Sequence, residues 1–201
     1  MTRIVAGTAR GRRLAVPPGR GTRPTSDRAR EALFSALGTL VGAWSGRRVL
    51  DLYAGSGAVG LEALSRGASS VVLVEADRAA ARTIASNAAT VGRPGAEVRQ
   101  ATAEVAVRSL AAAGGPPFDV VFADPPYDLE ADRLRAVLVA IRPALAADAV
   151  AVVERPTRGA GWDWPPGYAA LRSRRYGEAT LWYGRAAPDP APPDERQESP
   201  T

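Results

Sequence analysis

The chain has 201 residues, 46% of them hydrophobic and 23% charged, which suits a soluble globular domain with a full core plus attachments. It contains no cysteine, no histidine and no lysine, which excludes disulfides, thiolate zinc sites, iron–sulfur clusters, imidazole bases, Schiff-base lysines and a P-loop lysine. Its net charge of +5 is an N-terminal property: Arg3, Arg10, Arg12, Arg13, Arg20, Arg23, Arg28 and Arg30 face the single acid Asp27, whereas the remaining residues carry 18 arginines against 20 acids.

Residues 1–17 read as two short strands, 3–6 and 13–16, joined by a turn through 8–11. An isolated hairpin is marginal in water, so it must lean on the domain or on a ligand. Its arginines are expected to form an arm that follows a phosphate backbone rather than a merely solvated edge. The stretch 19–26 reads as a flexible basic linker, with Ser26 as a helix cap and Asp27 at the positive helix end. The helix that follows, about 27–40, places Ala29, Leu33, Leu37 and Leu40 on one face. Arg28, Arg30 and Glu31 are expected on a solvated face or closing over a ligand.

Beyond Arg48 the pattern alternates. Strands are expected at 48–53, 71–75, 96–100, 119–123 and 149–154, and helices at 58–66, 77–91, 102–112 and 130–141. This alternation specifies an α/β fold with a mostly parallel, doubly wound sheet. Two final strands, 168–175 and 179–185, have only Gly177-Glu178 and one flanking residue between them, which makes them antiparallel. Trp162 and Trp164 are expected to pack as lid or core rather than as a base platform. The tail from Ala186, with five prolines and four acids, is expected to be disordered. The longest apolar runs are too short to span a bilayer and the start is unlike a signal peptide, so a cytoplasmic location is expected.

Two strand ends carry the chemistry. Gly55-Ser56-Gly57-Ala58-Val59-Gly60 matches G-x-G-x-x-G, with Glu75 twenty residues after its first glycine. However, Asp51 lies four residues before that glycine, where it would face a negative pyrophosphate but could pair with a cationic amino-acid moiety. Asp124-Pro125-Pro126-Tyr127 ends the apolar run 119–123. The two prolines stiffen and extend that loop, leaving unpaired carbonyls and a carboxylate beside an aromatic ring. Such a loop can accept hydrogen bonds from a planar amino group while Tyr127 stacks on its ring.

The Asp51–Gly57 pattern with an acid after the second strand resembles the S-adenosylmethionine site of class I methyltransferases. That resemblance implies a Rossmann-like sheet and assigns Asp51, Tyr53, Ala54, Gly55, Gly57, Glu75, Ala76, Ala103 and Asp124 to the cofactor. Glu75 would take the ribose hydroxyls, and Thr102-Ala103 would approach the adenine. The DPPY motif resembles that of methyltransferases acting on nitrogen conjugated to a planar system, with Asp124, Pro125 and Tyr127 as the catalytic set. The segments 1–7, 11–14, 23–34, 51–57, 60–68 and 124–127 are similar to the bacterial 16S ribosomal RNA guanine-N2 methyltransferase family of the RsmD type, over roughly residues 1–185.

The resemblance implies methyl transfer to N2 of one guanine in small-subunit rRNA, within the subunit or an assembly intermediate. It needs no metal and no membrane, and a monomer is expected. Residues 1–25 would be the RNA arm and linker, 26–185 the methyltransferase domain and 186–201 the tail. Arg3, Arg10, Arg12, Arg13, Arg20, Arg23 and Arg28 are the expected RNA contacts. Alternatives are a glutamine amide methyltransferase, whose family usually has Asn at the position of Asp124, and a DNA adenine methyltransferase, which would usually need a further recognition domain. A non-catalytic RNA-binding module and a dinucleotide-dependent oxidoreductase complete the set.

Overall fold

The computed structural model describes residues 2–17, 27–159 and 161–187. Arg20, Arg23, the cap Ser26 and the tail from 188 lie outside the described residues.

A seven-stranded sheet organises the chain. It comprises β3 (Arg48–Leu52), β4 (Ser70–Glu75), β5 (Ala96–Gln100), β6 (Phe118–Ala123), β7 (Leu145–Pro156), β8 (Tyr168–Tyr176) and β9 (Ala179–Ala186), in the order β5-β4-β3-β6-β7-β9-β8. The first five are mutually parallel and β9 runs antiparallel to both β7 and β8. The short runs Val49-Leu50 and Val71–Val74 are buried on both faces, as parallel strands require. Strand β7 is longer than its sequence suggests, starting at Leu145 rather than Ala149.

Helices α1 (Asp27–Val41), α2 (Ala58–Ser65) and α3 (Arg78–Val91) cover one face; α4 (Ala103–Ala112) and α5 (Ala131–Ile141) cover the other. Their ends follow the expected chemistry. The Asp77 side chain accepts from Ala80 N at 2.8 Å to cap α3, and Gly92 closes it at φ 65°. On the α4–α5 face, Trp162 is buried and meets Trp164 edge-on at 5.9 Å, and Trp164 stacks on Tyr168 at 5.7 Å. The tryptophans therefore belong to the core.

The N-terminal hairpin is shorter than expected. Its strands shrink to β1 (Thr2–Arg3) and β2 (Arg13–Leu14). It lies against α2, with its turn at the helix's C-terminal end: Thr8 N donates to the Ser65 carbonyl at 2.8 Å and Ala9 N to Ser65 Oγ at 3.0 Å. Gly7 permits this approach, because a Cβ there would sit 1.9 Å from the Ser65 carbonyl oxygen. Midway along, the fully buried Glu62 carboxylate accepts Val5 N at 2.7 Å, Ala6 N at 2.9 Å and Arg66 Nε at 2.9 Å.

Arg30 departs from expectation. It is neither solvated nor at a ligand, but fully buried between α1, the hairpin and α2. Its guanidinium donates to Thr2 Oγ1 at 3.0 Å, to Asp27 Oδ1 at 2.9 Å and to the Arg3 carbonyl, with Glu62 Oε2 3.6 Å from Nε. A buried guanidinium survives only when its donors and charge are matched, and the hairpin supplies part of that match.

Candidate active site

Helices in this fold run back against the strands, so the carboxyl edge of the sheet carries the loops that enter α2, α3, α4 and α5. The strand order reverses between β3 and β6, and the crevice at such a switch point is where open α/β sheets take ligands. The Gly55 loop follows β3 and the Asp124 loop follows β6, so the two flank that crevice.

Alternation then selects a face. Val49, Val71, Leu73, Val120, Phe122, Val150 and Val152 all pack with α1, α2 and α3. Side chains two residues apart share a face, so Asp51, Glu75, Asp124 and Glu154 also point to that side. Asp51 pairs in register with Leu73 and Phe122 and sits one layer deeper. Ala123 pairs with Val153, so Asp124 and Glu154 follow side by side at the ends of adjacent parallel strands.

The first two acids are engaged by backbone. Gly60 N donates to Asp51 Oδ2 at 2.8 Å, which satisfies an early amide of α2. Gly60 must be glycine here, since a Cβ would come within 2.7 Å of Val71 and 3.2 Å of Asp51 Oδ2. Glu75 accepts Gly55 N at 2.9 Å through Oε2 and Asp77 N at 2.9 Å through Oε1, so it shapes the loops on both sides of itself. Tyr53, at φ 59°, is the one non-glycine residue with positive φ among the described residues, and it starts the turn in which Ala54 N donates to the Val74 carbonyl. Burial and the nearby Glu104 push the Tyr53 hydroxyl up to about 12.

The other two acids have no such help. Asp124 N donates to the Leu52 carbonyl at 3.5 Å, but no described residue donates to its carboxylate, nor to that of Glu154. Burial pushes Asp51 up to about 7, with Asp124 and Glu75 adding to the effect against the Gly60 amide. Burial likewise pushes Asp124 up to about 7, and burial together with Asp124 pushes Glu154 up to about 8. Burial and their mutual repulsion thus favour the protonated form of the Asp124–Glu154 pair.

The expected residues are brought together unevenly. Asp51, Tyr53, Ala54, Gly55, Gly57, Glu75, Ala76 and Asp124 all lie at the carboxyl edge of β3, β4 and β6. Ala103 is different: it opens α4 with its methyl buried in the core, so only its backbone is left for a ligand, while the Thr102 side chain caps the helix. Pro125 is buried and Tyr127 is 61% exposed. The Pro126 carbonyl is not free, since Leu129 N donates to it at 3.0 Å.

The arginines divide. The hairpin turn with Arg10 lies toward the amino edge, and Arg12 donates to the Thr90 and Val91 carbonyls that end α3. Arg3 pairs with Asp27 at 2.9 Å, and Arg3, Arg13 and Arg28 are exposed around the open end of the hairpin and the start of α1.

Sequence reasoning missed three contributors. Glu154 is one. Arg155 donates to the Leu129 carbonyl at 2.9 Å and so pins the loop after Tyr127. Asn87 joins the hairpin exit to the glycine loop, donating to the Ala15 and Ser56 carbonyls at 2.9 Å each. An acid directly after a buried apolar run, as after Val71–Val74 in β4 and Ala149–Val153 in β7, was the available signal for Glu154.

Residues 2–185 match the family described as Conserved hypothetical protein 95. Ribosomal RNA small subunit methyltransferase D of Escherichia coli (strain K12) is 44% identical over 125 residues, 62% of this chain and 60% of that protein. The chain thus spans less than two thirds of that relative's length in the match. Putative rRNA methyltransferase YlbH of Bacillus subtilis (strain 168) is 39% identical over 140 residues, covering 69% of this chain and 73% of the relative. Among solved structures, the putative methyltransferase yhhF from Escherichia coli is similar with a TM-score of 0.76 and 34% identity, over 92% of this chain and 97% of that one. The chain belongs to the Conserved hypothetical protein 95 family, that of the RsmD-type methyltransferases.

Proposed function

We propose that this protein transfers a methyl group from S-adenosylmethionine to the exocyclic N2 of a guanine in small-subunit rRNA. The observation that carries the reading is the Asp124 carboxylate, to which no described residue donates, beside the buried Pro125 and across the switch point from the glycine loop. The names of the curated relatives support rRNA as the substrate.

The residues fit the cofactor. The buried carboxylates Asp51 and Glu75 stand at the edge of β3 and β4, where a cationic amino-acid moiety and ribose hydroxyls can meet them. A Cβ on Gly55 would meet nothing closer than 4.0 Å, leaving open space over the loop. Asp51 and Glu75 would hold the cationic and hydroxyl-bearing parts, with Tyr53, Ala54 and Gly57 as the floor. When bound, S-adenosylmethionine supplies a methyl on a positively charged sulfur that departs as a neutral thioether.

The protein's own work is positional. Asp124 accepts one N–H of the amine and the Pro125 carbonyl accepts the other, which draws the lone pair out of conjugation and along the line of attack. Such positioning supplies about 7–11 kcal/mol where the geometry is held. Asp124 also receives the proton that the nitrogen sheds as its bond to carbon forms. Tyr127, exposed at the lip, stacks on the base. Arg3, Arg13 and Arg28, exposed at the hairpin and the start of α1, would take RNA phosphates, whereas Arg12 serves α3. The protein acts as a monomer on the small subunit or its assembly intermediate, in the cytoplasm.

The test is methyl transfer from labelled S-adenosylmethionine to small subunits lacking the modification, read by nucleoside mass spectrometry. N2-methylguanosine is the expected product. N6-methyladenosine or an absence of label would refute the reading.

A further inference from the structure

Among the buried acids of this fold, Asp51, Glu62 and Glu75 each accept at least one backbone N–H. Glu154 accepts none from any described residue, although it is only 8% exposed. Asp124, half-buried one residue beyond the last register pair Ala123–Val153, likewise accepts none from any described residue. A carboxylate withdrawn from water without donors is expensive to keep, so two side by side at the mouth of a crevice, given no donor by any described residue, form a site for a ligand that brings them. The ligand that completes it must carry several N–H groups along one edge.

We infer that Glu154 is the residue that reads the base: it accepts the N1–H of the target guanine while Asp124 and the Pro125 carbonyl hold the N2 amine. This deepens the reading above and rests on it. Guanine presents N1–H and N2–H₂ side by side, a row of donors matched to two adjacent carboxylates. Adenine presents an acceptor, N1, next to its N6 amine, and an ionised Glu154 would face that lone pair. The N–H donors favour the ionised form of both acids, against the burial that raises them. Glu154 thus selects the amine to be methylated, and Asp124 orients it.

The test uses 16S rRNA in which the target guanine, first located by mass spectrometry, is replaced by 2,6-diaminopurine through ligation. The rRNA is reconstituted with small-subunit proteins and assayed at alkaline pH, which favours the ionised form of both acids. This base keeps the N2 amine but has a lone pair at N1. The native enzyme should methylate it at least about a hundredfold less efficiently than guanine, because a buried acceptor is left facing an acceptor. Glu154→Gln, which can donate to N1, should bring the two kcat/KM values to within about fivefold, chiefly through KM.

Equal use of both bases by the native enzyme would overturn the inference, and that arm needs no variant. An unchanged ratio in a Glu154→Gln protein of normal melting temperature would also overturn it. If the guanine control itself gives no N2-methylguanosine, the inference falls together with the function on which it rests.

Discussion

Glu62→Gln tests whether the basic hairpin is a loose arm or part of the domain. The substitution keeps the shape of a fully buried side chain and removes its charge. One of two acceptor oxygens becomes an N–H₂ group, facing either Val5 N, now at 2.7 Å, or Ala6 N and Arg66 Nε, both now at 2.9 Å. Leaving a buried donor unmatched costs about 1–3 kcal/mol. The buried Arg30, 3.6 Å away, also loses its counter-charge on the α2 side, and breaking a buried pair costs about 3–5 kcal/mol. Because Asp27 still faces Arg30, the two effects overlap, and a total of about 3–5 kcal/mol is expected. In a domain of this size that lowers the melting temperature by roughly 10 °C. Chemical and thermal denaturation give the total, and amide hydrogen exchange at Val5 and Ala6 reports the hairpin directly. A loss below about 1 kcal/mol, or unchanged protection at those amides, would refute the reasoning.

Stability should depend on pH through the raised acids. Asp51 and Asp124 at about 7 and Glu154 at about 8 lie above their ordinary values of 3.8, 3.8 and 4.5, so the folded state holds protons that the unfolded chain releases. Their contribution is fully present below pH about 4 and is lost as pH rises toward about 8. The melting temperature of Asp124→Asn relative to the native protein should therefore improve between acidic and alkaline buffers, and a difference independent of pH would contradict the assignment. The arginines should separate by task. Arg13→Gln and Arg28→Gln should each reduce the salt slope of RNA binding by about 1, while Arg12→Gln leaves the slope unchanged and costs about 1 kcal/mol of stability. Filter binding across a salt series and a denaturation curve check both halves, and a slope change with Arg12→Gln would reverse the division.

Much of this site was legible because its determinants are local. Val71–Val74 and Val120–Ala123 are short apolar runs, and an acid or glycine loop at the end of each marks the carboxyl edge. Helix α3, from its cap Asp77 to Val91, is read from its own residues alone. Glu154 escaped notice because its meaning depends on β7 lying beside β6, a matter of strand order rather than of sequence spacing. Arg30 was misjudged for a related reason. On α1 it looks like one more solvated arginine, whereas Asp27, Glu62 and the returning hairpin together make its burial tolerable. The direction of the hairpin was likewise hidden, since the contacts of Thr8 and Ala9 with Ser65 join residues more than fifty positions apart.

The central claim is that Asp124 acts on the amine rather than on the cofactor. Asp124→Ala, compared with the native protein in two assays, tests it most directly: single-turnover methyl transfer, and S-adenosylmethionine affinity by calorimetry. Transfer should be lost while affinity stays within about threefold, the signature of a contact made to the reacting group alone. Full transfer by the variant, or loss of cofactor binding in proportion to the loss of transfer, would contradict it.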